Sequence, residues 1–278
     1  MAYGRNEVAR MKIRIDTPRL SLWRIEEEHS TAPHIHEREF QITVPIYGGC
    51  RFVGKQQAYE LACGEGFVQY PEEPHELHVS GEAGVIVLQV DRDGFAEFND
   101  RQPLEFDHRQ SIDPVELSGR FRKWATTLLL HDPSEPLAVE ETEAQVLSFL
   151  ARSLRGNQTN RRDAALVSAS SADRHMRTAL DYMHEHYTEK LHIDTLAGIA
   201  LLSRFHFIRT FKAILGMTPY QYILSLRIEE AKARLARSGA TVTEISHDLG
   251  FGSASQFYRV FAKSVGATPE QYRSGVRG

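Results

Sequence analysis

Three kinds of hydrophobic spacing succeed one another along the chain. From about residue 11 to 106, short β-rich runs such as EFQITVPI and VIVLQV are punctuated by Gly48-Gly49, Gly64, Gly66, Pro71, Pro74, Gly81 and Gly84. Many short strands at this spacing predict a sandwich or barrel. From about 113 to 155 the spacing turns helical: Leu128, Leu129 and Leu130 lie in one candidate helix, and Leu147, Leu150, Ala151 and Leu154 stripe a second at steps of three and four. That stripe is narrow and needs a partner, either the barrel or a second subunit. The stretch RGNQTNRRDAALVSASSA, 155 to 172, holds no sustained pattern and reads as a linker. Beyond it Met176, Leu180, Met183 and Tyr187 fall on one helix face, opening an all-helical domain. The expected class is α+β, divided into a barrel (1–112), a helical element (113–155), a linker (156–172) and a helical domain (173–278).

The helical domain spells one passage twice. FKAILGMTPYQY at 211 to 222 returns as FAKSVGATPEQY at 261 to 272, an offset of fifty that also matches Ser203 with Ser253 and Arg209 with Arg259. In each copy a Gly (Gly216, Gly266) suits a left-handed helix cap, and Thr-Pro two residues on restarts a helix, with Gln221 or Gln271 placed to close a capping box. Ser203 and Ser253 are good N-caps, so each opens a helix, and each follows a shorter helix at about 194–200 or 243–249. A helix, a tight turn and a second helix make a helix-turn-helix unit, and the chain has two. Leu224, Ile228, Ala231 and Leu235 stripe a long helix between them, with Glu230 and Arg234 paired on its wet face. Such a strut holds two recognition helices for successive major grooves, about 34 Å apart on one face of DNA. Phe207, Phe211, Phe257 and Phe261 sit at helical spacing and read as core.

Composition changes this picture little, and charge somewhat more. At 278 residues, 41% apolar and 25% charged, the chain is ordinary globular protein of a length that suggests two domains. No apolar run approaches the roughly 18 residues of a membrane span, and the first residues lack a secretion signal, so a cytoplasmic location is expected. Cys50 and Cys63 are too few for a disulfide framework and read as reduced thiols. The net charge of −4 is uneven: from Ala172 onward 14 Lys and Arg face 10 Asp and Glu, and the remainder has 19 against 27. A mildly basic tail is compatible with a polyanionic partner.

The stretch from about Arg174 to Tyr272, above all GFGSASQFYRVFAKSVGATPEQYR at 250 to 273, resembles the signature of AraC family bacterial transcription regulators. The resemblance implies double-stranded DNA as partner, with the reading residues drawn from Ser203, Arg204, Phe205, Ile208 and Arg209 in the first unit and Ser253, Ser255, Gln256 and Arg259 in the second. Arg can grip guanine or a phosphate, Gln can pair with adenine, and Ile can touch only a thymine methyl. The resemblance also implies a homodimer, contact with RNA polymerase, and activation rather than repression. Two positions depart from the family pattern: Leu201 stands in the first turn where Gly is usual, and His192 where a Ser or Thr cap is usual. The first predicts a strained Leu costing about 1 kcal/mol.

In the N-terminal part, PHIHEREFQI at 33 to 42 and GEGFVQYPEEPHEL at 64 to 77 resemble the small cupin barrel that many of these regulators use as sensor. His34 and His36 share one side of a strand, a following hairpin can bring His75 to them, and Glu39 could join. The glycine expected before the last His is replaced by Glu72 or Glu73. Such a set suits either a small-molecule effector such as a sugar, with no cofactor, or a divalent metal on His34, His36 and His75; a structural role is the third reading. Trp23, Arg24, Tyr47 and Tyr70 complete the candidate effector pocket, because aromatic faces beside polar groups suit a polyol. The leading expectation is a non-enzymatic, ligand-responsive transcription regulator. The alternatives are a metal-dependent cupin enzyme on a DNA anchor, and a non-specific DNA binder.

Overall fold

The computed structural model describes residues 12–54, 57–98, 105–130, 135–156 and 169–277; most of the expected linker lies outside them. It divides into two compact units, one of Met1–Ala125 with Val146–Arg162, the other of Thr126–Gln145 with Asp163–Gly278.

The first unit carries two antiparallel sheets. The larger runs β1 (Lys12–Asp16), β2 (Leu20–Ile25), β9 (Gly84–Asp91), β4 (Glu39–Tyr47), β7 (Glu65–Gln69) and β10 (Arg109–Ser111) in spatial order. The smaller runs β3 (His29–Ser30), β8 (His75–Val79), β5 (Gly49–Gly54) and β6 (Gln57–Ala62). Ile25, Phe52, Leu61, Phe67, Leu77, Val85 and Val87 are buried together in one core. β4 and β9 are buried at nearly every position rather than at alternate ones, so this part of the sheet is covered on both faces. Gly84 is required there: a Cβ would stand 2.2 Å from the Tyr47 ring. A short helix α1 (Arg92–Phe98) follows β9; α2 (Pro114–Leu130) and α3 (Pro136–Ser153) follow β10. The Leu147, Leu150 and Leu154 stripe is buried inside this unit, where Phe149 meets Trp124 of α2 edge to face at 5.7 Å. The apolar stripe is therefore satisfied within the chain; Val115 and Leu129 of α2 stay exposed. Cys50 is buried, which pushes its thiol up to about 12, and Cys63 is exposed; neither is bonded to the other.

The second unit is helical: α4 (Ala169–His186), α5 (Ile193–Ile199), α6 (Arg204–Leu215), α7 (Pro219–Arg237), α8 (Val242–Asp248), α9 (Ala254–Val265) and α10 (Pro269–Arg277). Local chemistry sets the boundaries as the duplicated text predicts. Ser203 accepts from the His206 amide and Ser253 from the Gln256 amide, opening α6 and α9; Gly216 and Gly266 close them at φ 72° and 80°. Thr218 and Gln221 form a complete capping box with Pro219 at the first helical position. Phe207, Phe211, Phe257 and Phe261 are fully buried in two cores, one around each helix-turn-helix unit. Ile228, Ala231 and Leu235 of α7 belong to the second core, while Arg234 reaches Glu230 at 2.8 Å on the opposite side.

The two departures from the repeat have structural consequences. Leu201 sits at φ 55° with 71% of its surface exposed, so its side chain returns little for the strained backbone. Leu201→Gly should raise stability by about 1 kcal/mol in urea titration; a lower midpoint would show that the Leu side chain contributes packing. His192 gives α5 no side-chain cap, and its place is taken from outside: Glu140 of α3 accepts from the Ile193 amide at 2.6 Å and lies 3.0 Å from His192 Nδ1. In the second repeat Thr241 and Glu244 cap α8 by themselves.

Candidate functional site

Two faces carry chemistry, one in each unit. Of the residues expected to read DNA, Ser203 and Arg209 in the first unit and Ser253, Ser255 and Arg259 in the second are exposed. Phe205 and Ile208 are half-buried beside them, and Ile208 packs on the first core. Arg209 and Arg259 occupy equivalent positions fifty residues apart, which places one long cation on each helix at the same turn.

Two residues expected to read bases are turned inward instead. Arg204 is 9% exposed, and its guanidinium is bonded to Asp194 by Nε at 2.8 Å and by a second, short contact, with Glu143 at 3.9 Å and Glu140 at 4.0 Å. It stands three and seven residues before Phe207 and Phe211, on the face that α6 buries. Gln256 is 1% exposed; its Oε1 accepts from the Gly252 amide at 3.0 Å and its Nε2 donates to the Tyr220 hydroxyl at 3.3 Å. Ser253-x-x-Gln256 has the spacing of a capping box, so that fate was readable in the sequence.

In the first unit, a cavity of about 400 Å³ opens between the sheets, lined among others by Arg14, Trp23, His34, His36, Glu39, Gln41 and Gln89. Of the expected pocket residues, Trp23, His34, His36 and Glu39 line it, and His75 does not. Arg24 is paired with Glu26 at 2.7 Å, Tyr47 lies against Gly84, and the Tyr70 hydroxyl donates to the Phe106 carbonyl at 2.8 Å; none of these three lines the cavity. Each is a hydrogen-bonding or packing residue of the barrel wall, and alternation along a strand cannot distinguish that role from a pocket one.

The histidines do converge. His34 and His75 face each other across a backbone bridge, with amide-to-carbonyl distances of 3.1 and 3.0 Å, and the three ring centroids lie 4.3 to 5.1 Å apart. Nδ1 of His34 meets the Ala32 carbonyl at 2.8 Å and Nδ1 of His75 the Glu73 carbonyl at 3.3 Å. A carbonyl can only accept, so both rings carry their proton on Nδ1 and present an Nε2 lone pair. Nε2 of His75 is buried without a partner among the described residues. Burial pushes the His75 imidazole down to about 4, with His34 adding to the shift, and lowers His36 in the same way. The hairpin that presents His75 turns at Glu72, held at φ 64° where glycine was expected.

The sequence reading missed Gln41 and Gln89. His36 Nε2 lies 3.1 Å from Gln41 Oε1 and 3.2 Å from Gln89 Nε2, Gln89 donates to Gln41 at 2.9 Å, and Gln41 donates to Thr43. Gln41 follows Glu39 by two and so shares its side of β4, a signal present in the sequence. Gln89 enters through the register of β4 on β9, where it faces Gln41, and no single strand reveals that.

A ligand-sized cavity in a β-rich unit, joined in one chain to paired helix-turn-helix units, is the architecture of a DNA-binding transcription regulator with a ligand-binding domain. The family profile for an AraC-like ligand binding domain matches residues 24–169, and that for a helix-turn-helix domain matches residues 196–275. The chain belongs to the AraC family. It is 40% identical over 96 residues to the MmsAB operon regulatory protein of Pseudomonas aeruginosa, a match covering 34% of this chain and 31% of that relative. Thus it spans only about a third of that protein's length. To the melibiose operon regulatory protein of Escherichia coli it is 25% identical over 267 residues, 87% of this chain and 85% of the other. Among solved structures, the DNA-binding domain of AdpA in complex with a target DNA is 29% identical, covering 37% of this chain and 92% of that one at a TM-score of 0.35. No helix among the described residues is long and apolar enough to cross a membrane.

Proposed function

We propose that a small polar effector enters the barrel cavity and changes how the two helix-turn-helix units engage adjacent sites on DNA. The observation that carries this reading is the cavity wall: Trp23, His34 and the His36–Gln41–Gln89 hydrogen-bond chain are together in one site. Aromatic surface beside fixed amides and imidazoles suits the hydroxyls and C–H face of a sugar or polyol. The relative named for a melibiose operon, alike along most of both chains, supports that choice. On the DNA side, Arg209 and Arg259 are the principal readers, with Ser203, Phe205, Ile208, Ser253 and Ser255 around them. The regulator works as a cytoplasmic homodimer that contacts RNA polymerase and activates transcription.

Thermal-shift screening of the full chain against sugars, polyols and aromatic acids tests the effector. A true effector at about a hundred times its Kd adds about 2.7 kcal/mol, a shift of several degrees. Trp23→Ala and Gln41→Ala should abolish that shift while leaving DNA binding intact. A shift unchanged in both variants places the effector elsewhere.

The histidines favour a second reading of the same cavity. Their ligating nitrogens lie within 4.8 Å of one another, and the donor set, at least two of its imidazoles bearing free lone pairs, fits a divalent ion of the zinc, iron, manganese or nickel kind. Such an ion would supply a Lewis acid that anchors effector oxygens. His34, His36 and His75 would hold it. Elemental analysis of the purified chain against His75→Ala separates the two readings.

A further inference from the structure

The opening turns of α3 carry Glu135, Glu140, Glu141 and Glu143 within nine residues, and each meets a specific group of the DNA-binding unit. Glu135 pairs with Arg227. Glu140 caps α5, and Glu141 accepts from the Tyr220 amide at the start of α7. Glu140 and Glu143 approach Arg204, the first residue of α6, and Glu143 is itself 3% exposed. All these contacts lie within the second unit. Those of Glu140 and Glu143 fall on the first helix-turn-helix, and those of Glu135 and Glu141 on the connecting helix α7. In the second helix-turn-helix, the position matching Arg204 is Ala254 and the cap of α8 is internal.

Recognition helices present their N-terminal residues to DNA, which carries one negative charge per roughly 1.7 Å of axis. In the conformation described, the N-terminal Arg of α6 is neutralised by Asp194 and flanked by two further carboxylates. A phosphate approaching this end of α6 meets net negative charge, and a cation that should attract DNA is withheld. We propose that the acidic start of α3 is a built-in competitor for DNA on the first helix-turn-helix unit: Glu140 and Glu143 reinforce the Asp194 clamp on Arg204 and keep it off the duplex, and their release loosens that clamp so that Arg204 can serve as a DNA-contacting cation. The second unit remains competent throughout. α3 runs unbroken from Pro136 to Ser153, and its residues from Val146 onward belong to the unit that holds the cavity, so the competitor and the cavity share one covalent element.

The test rests on the DNA-binding assignment and uses the full chain with a labelled mixed-sequence duplex of four helical turns, followed by anisotropy across a salt series. Glu140→Gln with Glu143→Gln removes two charges but keeps an oxygen to accept from the Ile193 amide. It should bind about tenfold tighter at low salt, with a log–log salt slope steeper by about one, the signature of one added phosphate contact. Adding Arg204→Gln should erase that gain. Glu60→Gln with Glu116→Gln, exposed carboxylates of the first unit, makes the same change in net charge and should give no comparable gain. Equal tightening in that control, or none in Glu140→Gln/Glu143→Gln while wild type still binds, overturns the proposal. So does weaker binding with a lowered melting temperature, which makes the segment a brace; Glu143→Gln alone, which leaves the α5 cap untouched, then repeats the measurement in a folded chain. Absence of binding by wild type and every variant overturns the DNA-binding assignment itself.

Discussion

Replacing Arg227 by Ala should cost about 3 to 5 kcal/mol of stability, more than any other single change suggested by the structure. The residue is fully buried, and all its contacts are specific. Its Nη1 reaches Glu135 at 2.9 Å and the Gly250 carbonyl at 2.9 Å, Nε the Tyr187 carbonyl at 2.6 Å, and Nη2 the Glu189 carbonyl at 2.9 Å. Truncation strands a buried carboxylate and takes the donor from three carbonyls, so the loss exceeds that of an exposed ion pair several-fold. Glu135→Leu added to Arg227→Met should recover part of the loss, because the stranded charge is gone, but not all of it, because the carbonyls remain. Urea denaturation of the full chain reads both. A loss below about 1 kcal/mol for Arg227→Ala would mean that water reaches the site.

The second large effect is on DNA. Arg209→Ala and Arg259→Ala should each weaken binding to the cognate site by about 1 to 3 kcal/mol, and together by about the sum, since they lie on separate helices. Loss on the cognate site exceeding loss on mixed sequence marks base contacts; equal losses mark phosphate contacts. Arg204→Ala and Gln256→Ala supply the contrast. Both lower melting temperature through lost buried bonds, and a selective loss of sequence preference in Gln256→Ala would contradict its placement against Tyr220.

The duplicated passage made the helical domain legible because helix ends are local chemistry: Ser203, Thr218, Gly216 and their copies fix boundaries with partners three or four residues away. The strain at Leu201 was legible for the same reason, being the absence of Gly at one turn position. Nonlocal pairings were not. Helical spacing puts Arg204 on the same face as Phe207, and Asp194, ten residues upstream, pairs with it, but the two further carboxylates that flank it come from α3, some sixty residues upstream in the sequence. The His34, His36 and His75 cluster was readable because a His-x-His pair fixes one side of the chain and a hairpin returns the third. Tyr70 and Tyr47 failed as pocket residues because their partners, Phe106 and Gly84, are set by tertiary packing.

The capping of α5 by Glu140 bears on where the molecule may be cut. Trimming at the apparent start of the helical domain, near residue 169, leaves a piece whose earlier reading head is short of a cap and whose connecting helix buries the Arg227 guanidinium without its carboxylate. Whoever wants the paired heads by themselves must begin upstream of Glu135 and carry a stretch that, by sequence alone, belongs to the helical element between barrel and linker.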